Sequence, residues 1–364
     1  MGGGGSAEMG MDPKLAGWLR LMVEKSASDL HLTAESPPFL RLDEELIPLE
    51  HPVLSGEVTR KMAYSLLSED QIETFERERE LDMSFGLEDL GRFRVNVFLQ
   101  RGAVSVAIRL LPATIRNFQD LGLPVRALEA LCARKKGLIL ITGATGSGKS
   151  TTMASMVEYI NRHRRCHIIT VEDPIEYVHV NKQAIVDQRE IGADTLSFHS
   201  ALRHVLREDP NVILIGEMRD LETIEAALTI AETGHLVLAT LHTSDAVQTV
   251  NRIVDVFPAH QQQQVRVQLS FVLLAILTQQ LIPRASGEGR ALGVEVMMAT
   301  SAVRALIREG KTHQLYSVIQ TGQREGMRTM NHALAELYLR KAISYEEAIA
   351  RAHDPEEFLR LTQK

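Results

Sequence analysis

Short, uniformly apolar runs alternate with longer amphipathic stretches along the chain from residue 125 onward. Runs of this kind, with no polar alternation, are typical of strands buried on both faces of a parallel sheet, and the stretches between them have the period of helices. We therefore predict an α/β domain, with a parallel sheet of at least four strands covered by helices on both faces. The predicted strands are residues 138–142, 167–171, 212–215 and 236–240.

Beyond Pro258 the pattern becomes mainly helical. Apolar residues recur there at intervals of three and four, which is the spacing of one helix face. One further strand is predicted at residues 292–298. The predicted helices are residues 198–207, ahead of this region, and residues 262–281, 301–309, 330–340 and 345–353 within it.

The first part of the chain combines amphipathic helices with strands that alternate apolar and polar side chains. Asp12 and Pro13 predict the N-cap and first position of a helix, and Arg101-Gly102 predicts a hairpin turn. These features indicate a small α+β domain. Its predicted strands are residues 29–33, 39–42, 46–47, 92–100 and 103–111, with helical periodicity over residues 57–79 and a turn at residues 43–45.

These patterns predict two domains, as expected for a chain of 364 residues. Residues 1–10 are rich in glycine and are expected to be a flexible tag or linker. The predicted divisions are an N-terminal domain at residues 11–112, a linker at 113–124 and a C-terminal domain at 125–364, with a helical part from about residue 300.

A polar loop follows the first strand of the C-terminal domain and matches the pattern G-x-x-x-x-G-K-[ST] between a strand and a helix. Glycines let successive backbone N–H groups point at phosphate oxygens, the lysine adds a charge, and the final hydroxyl can bind Mg²⁺. A turn that binds nothing needs neither the lysine nor the hydroxyl. The predicted phosphate-binding residues are Gly143, Ala144, Thr145, Gly146, Ser147, Gly148, Lys149, Ser150 and Thr151, with Ser150 also a Mg²⁺ ligand.

Acidic residues follow the second and third strands of this domain, where parallel strands place their ligands. Phosphoryl transfer needs Mg²⁺ and a carboxylate that orients the attacking water. We predict that Glu217 binds Mg²⁺ or water and that Glu176 activates water. Asp173 has two open interpretations, as a catalytic acid or as the N-cap of a following helix.

Two histidines bracket the fourth strand, His235 before it and His242 after it. We predict that each senses the γ-phosphate through a hydrogen bond, and a two-histidine zinc site is the alternative. Arg92, Arg94 and Arg109 lie on neighbouring strands of the N-terminal domain. They are either ordinary solvated side chains or arginine fingers that stabilise the transition-state charge.

Composition narrows the function classes further. A net charge of −7 and only 5% aromatic residues do not favour a nucleic-acid-binding surface. The two cysteines form neither a zinc motif nor a disulfide framework, and the longest apolar run, residues 271–277, is far shorter than the ~20 residues of a membrane helix. We expect a cytoplasmic protein that inserts in no membrane and binds no nucleic acid.

Four segments resemble, in order, the Walker A, Asp box, Walker B and His box of the bacterial secretion ATPase superfamily. They are residues 143–152, 172–176, 216–220, and 232–235 with 240–243. Residues 28–32 and 91–96 extend the resemblance to the N-terminal domain. Residues 302–309 resemble a C-terminal motif of the branch that retracts type IV pili, departing from it at Val303 and Ala305. The chain also has no tetracysteine zinc subdomain, which the pilus-extension and type II secretion branches carry.

The resemblance implies a RecA-like P-loop ATPase domain joined to a PAS-like N-terminal domain, assembled as a homohexameric ring that uses ATP and Mg²⁺. It implies that Glu176 and Glu217 are the catalytic acids and that arginines of the N-terminal domain reach the nucleotide. Its partner would be a platform protein of the pilus at the inner membrane. An accessory paralogue that docks on a main retraction motor is the alternative, and a nucleic-acid motor with the same core is a more distant one.

Overall fold

The structure is a computed structural model that describes residues 10–42, 45–87, 89–111 and 114–363. The chain divides into two compact units, residues 1–114 with 174–178, and residues 115–173 with 179–364. Most of the predicted tag, part of the turn predicted at residues 43–45, and the predicted domain boundary at 112 and 113 lie outside the described residues.

The first unit is a six-stranded antiparallel sheet with three helices against one face. Alternate strand residues such as Leu30, Val95 and Ile108 are fully buried against these helices, which leaves the opposite face polar. The elements are α1 (Pro13–Glu24), β1 (Asp29–Leu32), β2 (Phe39–Leu42), β3 (Glu45–Pro48), α2 (Gly56–Tyr64), α3 (Glu69–Glu78), β4 (Glu80–Leu87), β5 (Gly91–Gln100) and β6 (Ala103–Leu110). The strand order is β3-β2-β1-β6-β5-β4.

The predicted elements of this unit are largely confirmed. The Asp12 side chain caps α1 by accepting from the Lys14 N–H, and Arg101 and Gly102 both have positive φ in the predicted hairpin turn. The helical stretch predicted at residues 57–79 is in fact two helices, and β4 follows immediately without having been predicted. Arg79, at φ +71°, ends the second helix in the left-handed conformation and turns the chain into β4.

The second unit contains a seven-stranded sheet with helices on both faces, which confirms the predicted α/β class. Its sheet elements are α4 (Val125–Cys132), β7 (Gly137–Thr142), α5 (Lys149–His163), β8 (His167–Glu172), β9 (Ile185–Glu190), α6 (Phe198–Val205), β10 (Val212–Ile215), α7 (Leu221–Glu232), β11 (Leu236–Leu241), α8 (Ala246–Asp255), α9 (Ala259–Val272), β12 (Leu273–Pro283) and β13 (Arg290–Met298). The order is β13-β12-β7-β11-β10-β8-β9, parallel except for the antiparallel pair β12 and β13.

The C-terminal helices are α10 (Ser301–Arg308), α11 (Leu315–Thr321), α12 (Met330–Leu339), α13 (Tyr345–Arg351) and α14 (Pro355–Thr362). Helices α12 to α14 form a separate apolar cluster with the far ends of β12 and β13. None of the helices in the described ranges is both long and apolar enough to span a bilayer.

The helix predicted at residues 262–281 is wrong in its second half, because α9 ends at Val272 and the chain continues as β12. An apolar run buried on all sides has no period that separates a strand from a helix. A side chain from a later helix explains why α9 ends at this point. The Arg304 guanidinium donates to the carbonyl oxygens of Ser270, Phe271 and Leu273, so it satisfies the carbonyls left open where α9 stops.

Residues 179–184 are fastened to α5 by Asn161, whose side chain donates to Val180 O (2.8 Å) and accepts from Lys182 N (3.0 Å). At the start of this segment the buried ring of His179 places Nδ1 3.9 Å from a carboxylate oxygen of Glu158. Burial lowers the pKa of His179 to about 4, although the Glu158 charge opposes the shift. His179 is therefore neutral in the folded protein at physiological pH.

This histidine is expected to make the fold acid-sensitive. Below pH 6.5 the unfolded chain takes up a proton that the folded protein accepts only near pH 4, so stability present above pH 6.5 is lost over that window. When the pH falls from 7.5 to 4.5, the unfolding free energy of the wild type should decrease by about 2.5 kcal/mol more than that of His179→Gln. Denaturant titrations at both pH values measure this, with His163→Gln on an exposed position of α5 as control. Equal pH dependence in wild type and His179→Gln would contradict it.

Candidate functional site

The phosphate loop, residues 143–148, leaves β7 at the carboxyl edge of the sheet and enters α5 at Lys149. Gly143, Gly146 and Gly148 have φ of +138°, +77° and +89°, which only glycine adopts without strain. A Cβ on Gly143 would lie 2.4 Å from the carbonyl oxygen of Gln279 on β12. The glycine at this position is therefore required by both backbone conformation and the neighbouring strand.

Gly143→Ala is expected to lower the unfolding free energy by about 3 kcal/mol, because it adds left-handed strain to a clash with a backbone carbonyl. It should also abolish nucleotide binding by displacing the loop. Gly146→Ala is the matched comparison, since no atom lies within 4 Å of its added Cβ. That variant should lose only about 1–2 kcal/mol, the strain alone. Denaturant titrations of both proteins check the difference, and equal losses would contradict the role of the β12 backbone.

Three side chains of this loop region suit an anion. Lys149 is 9% exposed, and its Nζ donates to the carbonyl oxygens of Gly143 and Ala144 at 2.8 and 2.9 Å. The Ser147 hydroxyl is buried with no hydrogen-bond partner among the residues described. Ser150 is exposed in the first turn of α5, a helix of 15 residues whose amino end favours negative charge. These features fit the phosphates of a nucleotide.

A chain of polar contacts joins the loop to the ends of β10 and β11. Thr145 Oγ1 lies 3.4 Å from His242 Nδ1, and His242 Nε2 lies 3.2 Å from Glu217 Oε1. His242 Nε2 can donate to the Glu217 carboxylate, and Nδ1 can bond to the Thr145 hydroxyl, which is able both to donate and to accept. The structure thus brings together three residues that the sequence placed in three separate motifs.

Glu217 is held as a carboxylate. Burial alone would raise its pKa, but the hydrogen bond from Arg219 (2.7 Å) and the charges of His242 and Arg219 outweigh burial and lower the pKa below its ordinary value. The sequence did not single out Arg219, although it follows Glu217 by two residues. Glu217 is therefore ionised at neutral pH and available to a metal ion or a water molecule.

The carboxylates after β8 occupy different surroundings. Glu172 accepts hydrogen bonds from Thr170 and Gln188 at the end of its strand. No helix follows Asp173 directly, so the N-cap interpretation of that residue is wrong. Glu176 lies in the segment 174–178 that groups with the first unit, whereas the phosphate loop belongs to the second. Its role as the water-activating base stays a prediction.

The structure does not bring His235 to the phosphate loop. It lies before β11, and Leu236 pairs with Gly137 at the start of β7, whereas Leu241 pairs with Thr142 at the end. Six residues of extended strand separate the two ends by about 20 Å. The prediction that His235 senses the γ-phosphate within its own chain is therefore wrong, and so is a zinc site shared with His242. Its ring lies near Ile230 O and the Thr233 hydroxyl instead.

The three arginines predicted as possible fingers, Arg92, Arg94 and Arg109, lie on the polar face of the sheet of the first unit. Arg109 donates to Asp29 at 2.7 Å, Arg94 lies 3.8 Å from Asp82, and Arg92 donates to the Ser84 hydroxyl. Arg94 and Arg109 are directly paired across β5 and β6. Their role as arginine fingers stays a prediction, because they and the phosphate loop belong to different units.

Strand β12 contributes contacts that the sequence analysis missed. Thr278 Oγ1 lies 2.9 Å from Thr142 Oγ1, the last side chain before the loop, and Gln279 Nε2 donates to Thr152 on α5 at 2.7 Å. The sequence analysis did not identify these contacts because it predicted a helix over Thr278 and Gln279. Within the described ranges, no three His, Cys, Asp or Glu side chains are grouped so that they could hold a metal ion.

Comparison with known proteins identifies relatives along nearly the whole chain. The PilT retraction ATPase of the type IV pilus in Pseudomonas aeruginosa is 45% identical over 93% of this chain and 98% of its own. The type IV pilus ATPase PilU of the same organism is 43% identical over 95% of this chain and 90% of its own. A crystal structure of the pilus retraction motor PilT with bound ADP matches with a TM-score of 0.88 and 52% identity, covering 94% of this chain and 98% of that one.

The family model described as "Type II/IV secretion system protein" matches residues 15–350. This span includes the phosphate loop, Glu217 and His242, as well as most of the first unit. By both the family match and the extent of similarity to PilT, the chain belongs to the type II/IV secretion system protein family.

Proposed function

We propose that this chain is a Mg²⁺-dependent ATPase that powers the retraction of type IV pili. The observation that carries the proposal is the contact chain from Glu217 through His242 to Thr145. It joins an ionised strand-end carboxylate to the loop that suits the phosphates, which is the arrangement that nucleotide hydrolysis requires. The similarity to PilT supports the assignment to retraction.

In the proposed reaction, ATP and water give ADP and phosphate. The backbone N–H groups of residues 143–148 and the charge of Lys149 bind the phosphates, and they balance negative charge as the terminal phosphoryl group leaves. Ser150 and Glu217 would hold Mg²⁺, which would neutralise part of the negative charge of the phosphates. Glu176 orients the attacking water. His242 contacts Thr145 of the phosphate loop and also Glu217, so it connects phosphate binding to the position of Glu217.

We further propose a homohexameric ring in which Arg92, Arg94 and Arg109 act on the nucleotide from the N-terminal domain. A change in the arrangement of the two domains on hydrolysis would do mechanical work on an inner-membrane platform protein of the pilus. The ring would work at the cytoplasmic face of that membrane. An accessory role beside a main motor is the second candidate, because PilU is nearly as similar to this chain as PilT is.

Three measurements test the proposal. Purified protein should release phosphate from ATP with Mg²⁺ and stop when EDTA is added, and it should have the mass of a hexamer. Deletion of the gene should leave cells with more surface pili and without twitching. If the protein is folded but does not hydrolyse ATP, the proposed ATPase activity is refuted. Turnover only together with a second, co-purifying ATPase would favour the accessory role.

A further inference from the structure

A buried carboxylate outside the nucleotide site connects two helix ends. Glu295, in the middle of β13, is 3% exposed. Its Oε1 accepts from the Ala246 N–H at 3.0 Å, and its Oε2 accepts from the Met330 N–H at 3.3 Å. These are the first residues of α8 and α12, whose leading N–H groups have no partner within their own helices. Each carboxylate oxygen therefore serves one helix.

Glu295 lies in a buried row of four residues across the sheet. It pairs with Thr278 on β12, Thr278 pairs with Thr142 on β7, and Thr142 pairs with Leu241 on β11. The next residues along β7 and β11 are Gly143 of the phosphate loop and His242. The carboxylate is thus level with the points where both strands enter the nucleotide site.

Helix α8 begins four residues after His242, so its amino end limits where His242 can lie. Asp245 caps α8 by accepting from Gln248 N at 2.7 Å, and the Thr243 and Thr249 hydroxyls are 2.6 Å apart. These contacts tie the connecting segment to α8. Among the described residues, Glu295 provides the side-chain hydrogen bond that ties the first N–H of α8 to the sheet.

The second contact of Glu295 leads to the C-terminal helices. Met330 opens α12, which packs with α13 and α14 in an apolar cluster. Any displacement of α12 must therefore stretch the bond from Met330 to the same carboxylate that holds α8. The two oxygens belong to one rigid carboxyl group. A movement of one helix end that keeps its bond to this group must therefore shift the oxygen that holds the other helix end.

We propose that Glu295 is a positioning residue that fixes His242 in the nucleotide site and couples it to the C-terminal helices. The inference rests on the proposed ATPase function. Within the described residues, the hydrogen bonds of the Glu295 side chain go to the first N–H groups of α8 and α12, so it acts on the reaction through α8 and the segment 242–246. Misplacement of His242 should slow the chemical step while the phosphate loop still binds the nucleotide.

Glu295→Gln is the sharpest variant, because it keeps the shape but replaces one accepting oxygen by an NH₂ group. That group would face a backbone N–H, so one helix end must lose its bond. We expect kcat for ATP hydrolysis to fall about tenfold or more, as small displacements of a catalytic group do, with KM changed less than about twofold. Hydrogen exchange should accelerate in the peptide covering residues 242–247 and at the start of α12.

Glu357→Gln is the matched control. Glu357 is also 3% exposed, and its carboxylate accepts from Tyr316, Gln320 and Asn331, which all lie in the C-terminal helices. This variant loosens α12 but removes neither bond of Glu295, so it should lose stability while its changes in kcat and in exchange at residues 242–247 stay well below those of Glu295→Gln. An equal fall in kcat for both variants would reduce Glu295 to a general stabilising role and overturn the proposal.

Other outcomes are equally decisive. Unchanged kcat and exchange in Glu295→Gln would refute the coupling. If that variant does not fold, Glu295→Asp, which keeps both carboxyl oxygens but is one methylene shorter, is judged by the same two measurements. If the wild-type protein releases no phosphate, the proposed function fails, and the exchange of residues 242–247 still tests whether Glu295 holds this segment.

Discussion

Replacing Lys149 with alanine is expected to lower kcat/KM for ATP hydrolysis at least a hundredfold, the largest effect that we expect from a change that leaves the fold intact. Lys149 is 9% exposed, and its ammonium group lies against the phosphate loop, where water does not screen it well. Loss of one buried donor to developing negative charge typically costs a hundredfold to a thousandfold in rate. Nucleotide affinity should fall as well, because the same charge binds the ground-state phosphates.

Phosphate release and equilibrium binding of a fluorescent nucleotide measure the two effects of Lys149→Ala separately. Lys136→Ala is the control, since Lys136 is an exposed lysine just before β7, at the opposite end of the strand that leads to the loop. The control should keep wild-type turnover. If Lys149→Ala and Lys136→Ala hydrolyse ATP at the same rate, the loop does not bind the phosphates as proposed.

Glu217→Gln is expected to reduce kcat about a hundredfold or more while nucleotide binding persists. The amide keeps the size of the side chain but removes the charge that attracts Arg219 and His242 and that would hold Mg²⁺. Because the pKa of Glu217 is lowered, the wild-type carboxylate stays charged at every pH above its ordinary range. Protonation of Glu217 should therefore not limit turnover between pH 5 and 8.

Steady-state phosphate release across that pH range, together with nucleotide binding, tests the role of Glu217. Glu225→Gln on the exposed side of α7 gives a matched loss of charge a short distance along the chain and should leave kcat unchanged. A Glu217→Gln protein that turns over like Glu225→Gln would show that the catalytic carboxylate lies elsewhere.

The sequence contained most of what positions the phosphates. The order strand, glycine-rich loop, helix is a local feature, so the positions of Gly143, Lys149 and Ser150 follow from the pattern itself. The four central strands and the rule that ligands lie at their carboxyl ends also placed Glu217 and His242 at one edge before the structure was known. The structure adds that the two side chains are in contact and that His242 reaches Thr145.

Features that depend on tertiary contacts could not be predicted in this way. Nothing local in residues 272–282 distinguishes a helix from a strand, because the strand depends on pairing with β7 and β13 and on Arg304 from a later helix. His235 was placed at the site because it adjoins the same strand, but the direction of β11 puts it at the other end. Glu295 has no sequence signature, since its two partners are backbone N–H groups.

The pairing of β12 with β7 has a consequence for how far the protein can deform. Side chains alternate along a strand, so a slip of one residue would turn Thr278 away from Thr142 and Gln279 away from Thr152. The buried hydroxyls of Thr142 and Thr152 would then lose their hydrogen-bond partners, which would destabilise the fold because no water replaces the lost bonds in the interior. A force on the C-terminal helices should therefore move the β12–β13 hairpin and the phosphate loop together as a rigid body. Any large motion must then occur in segments that are not paired in the sheet.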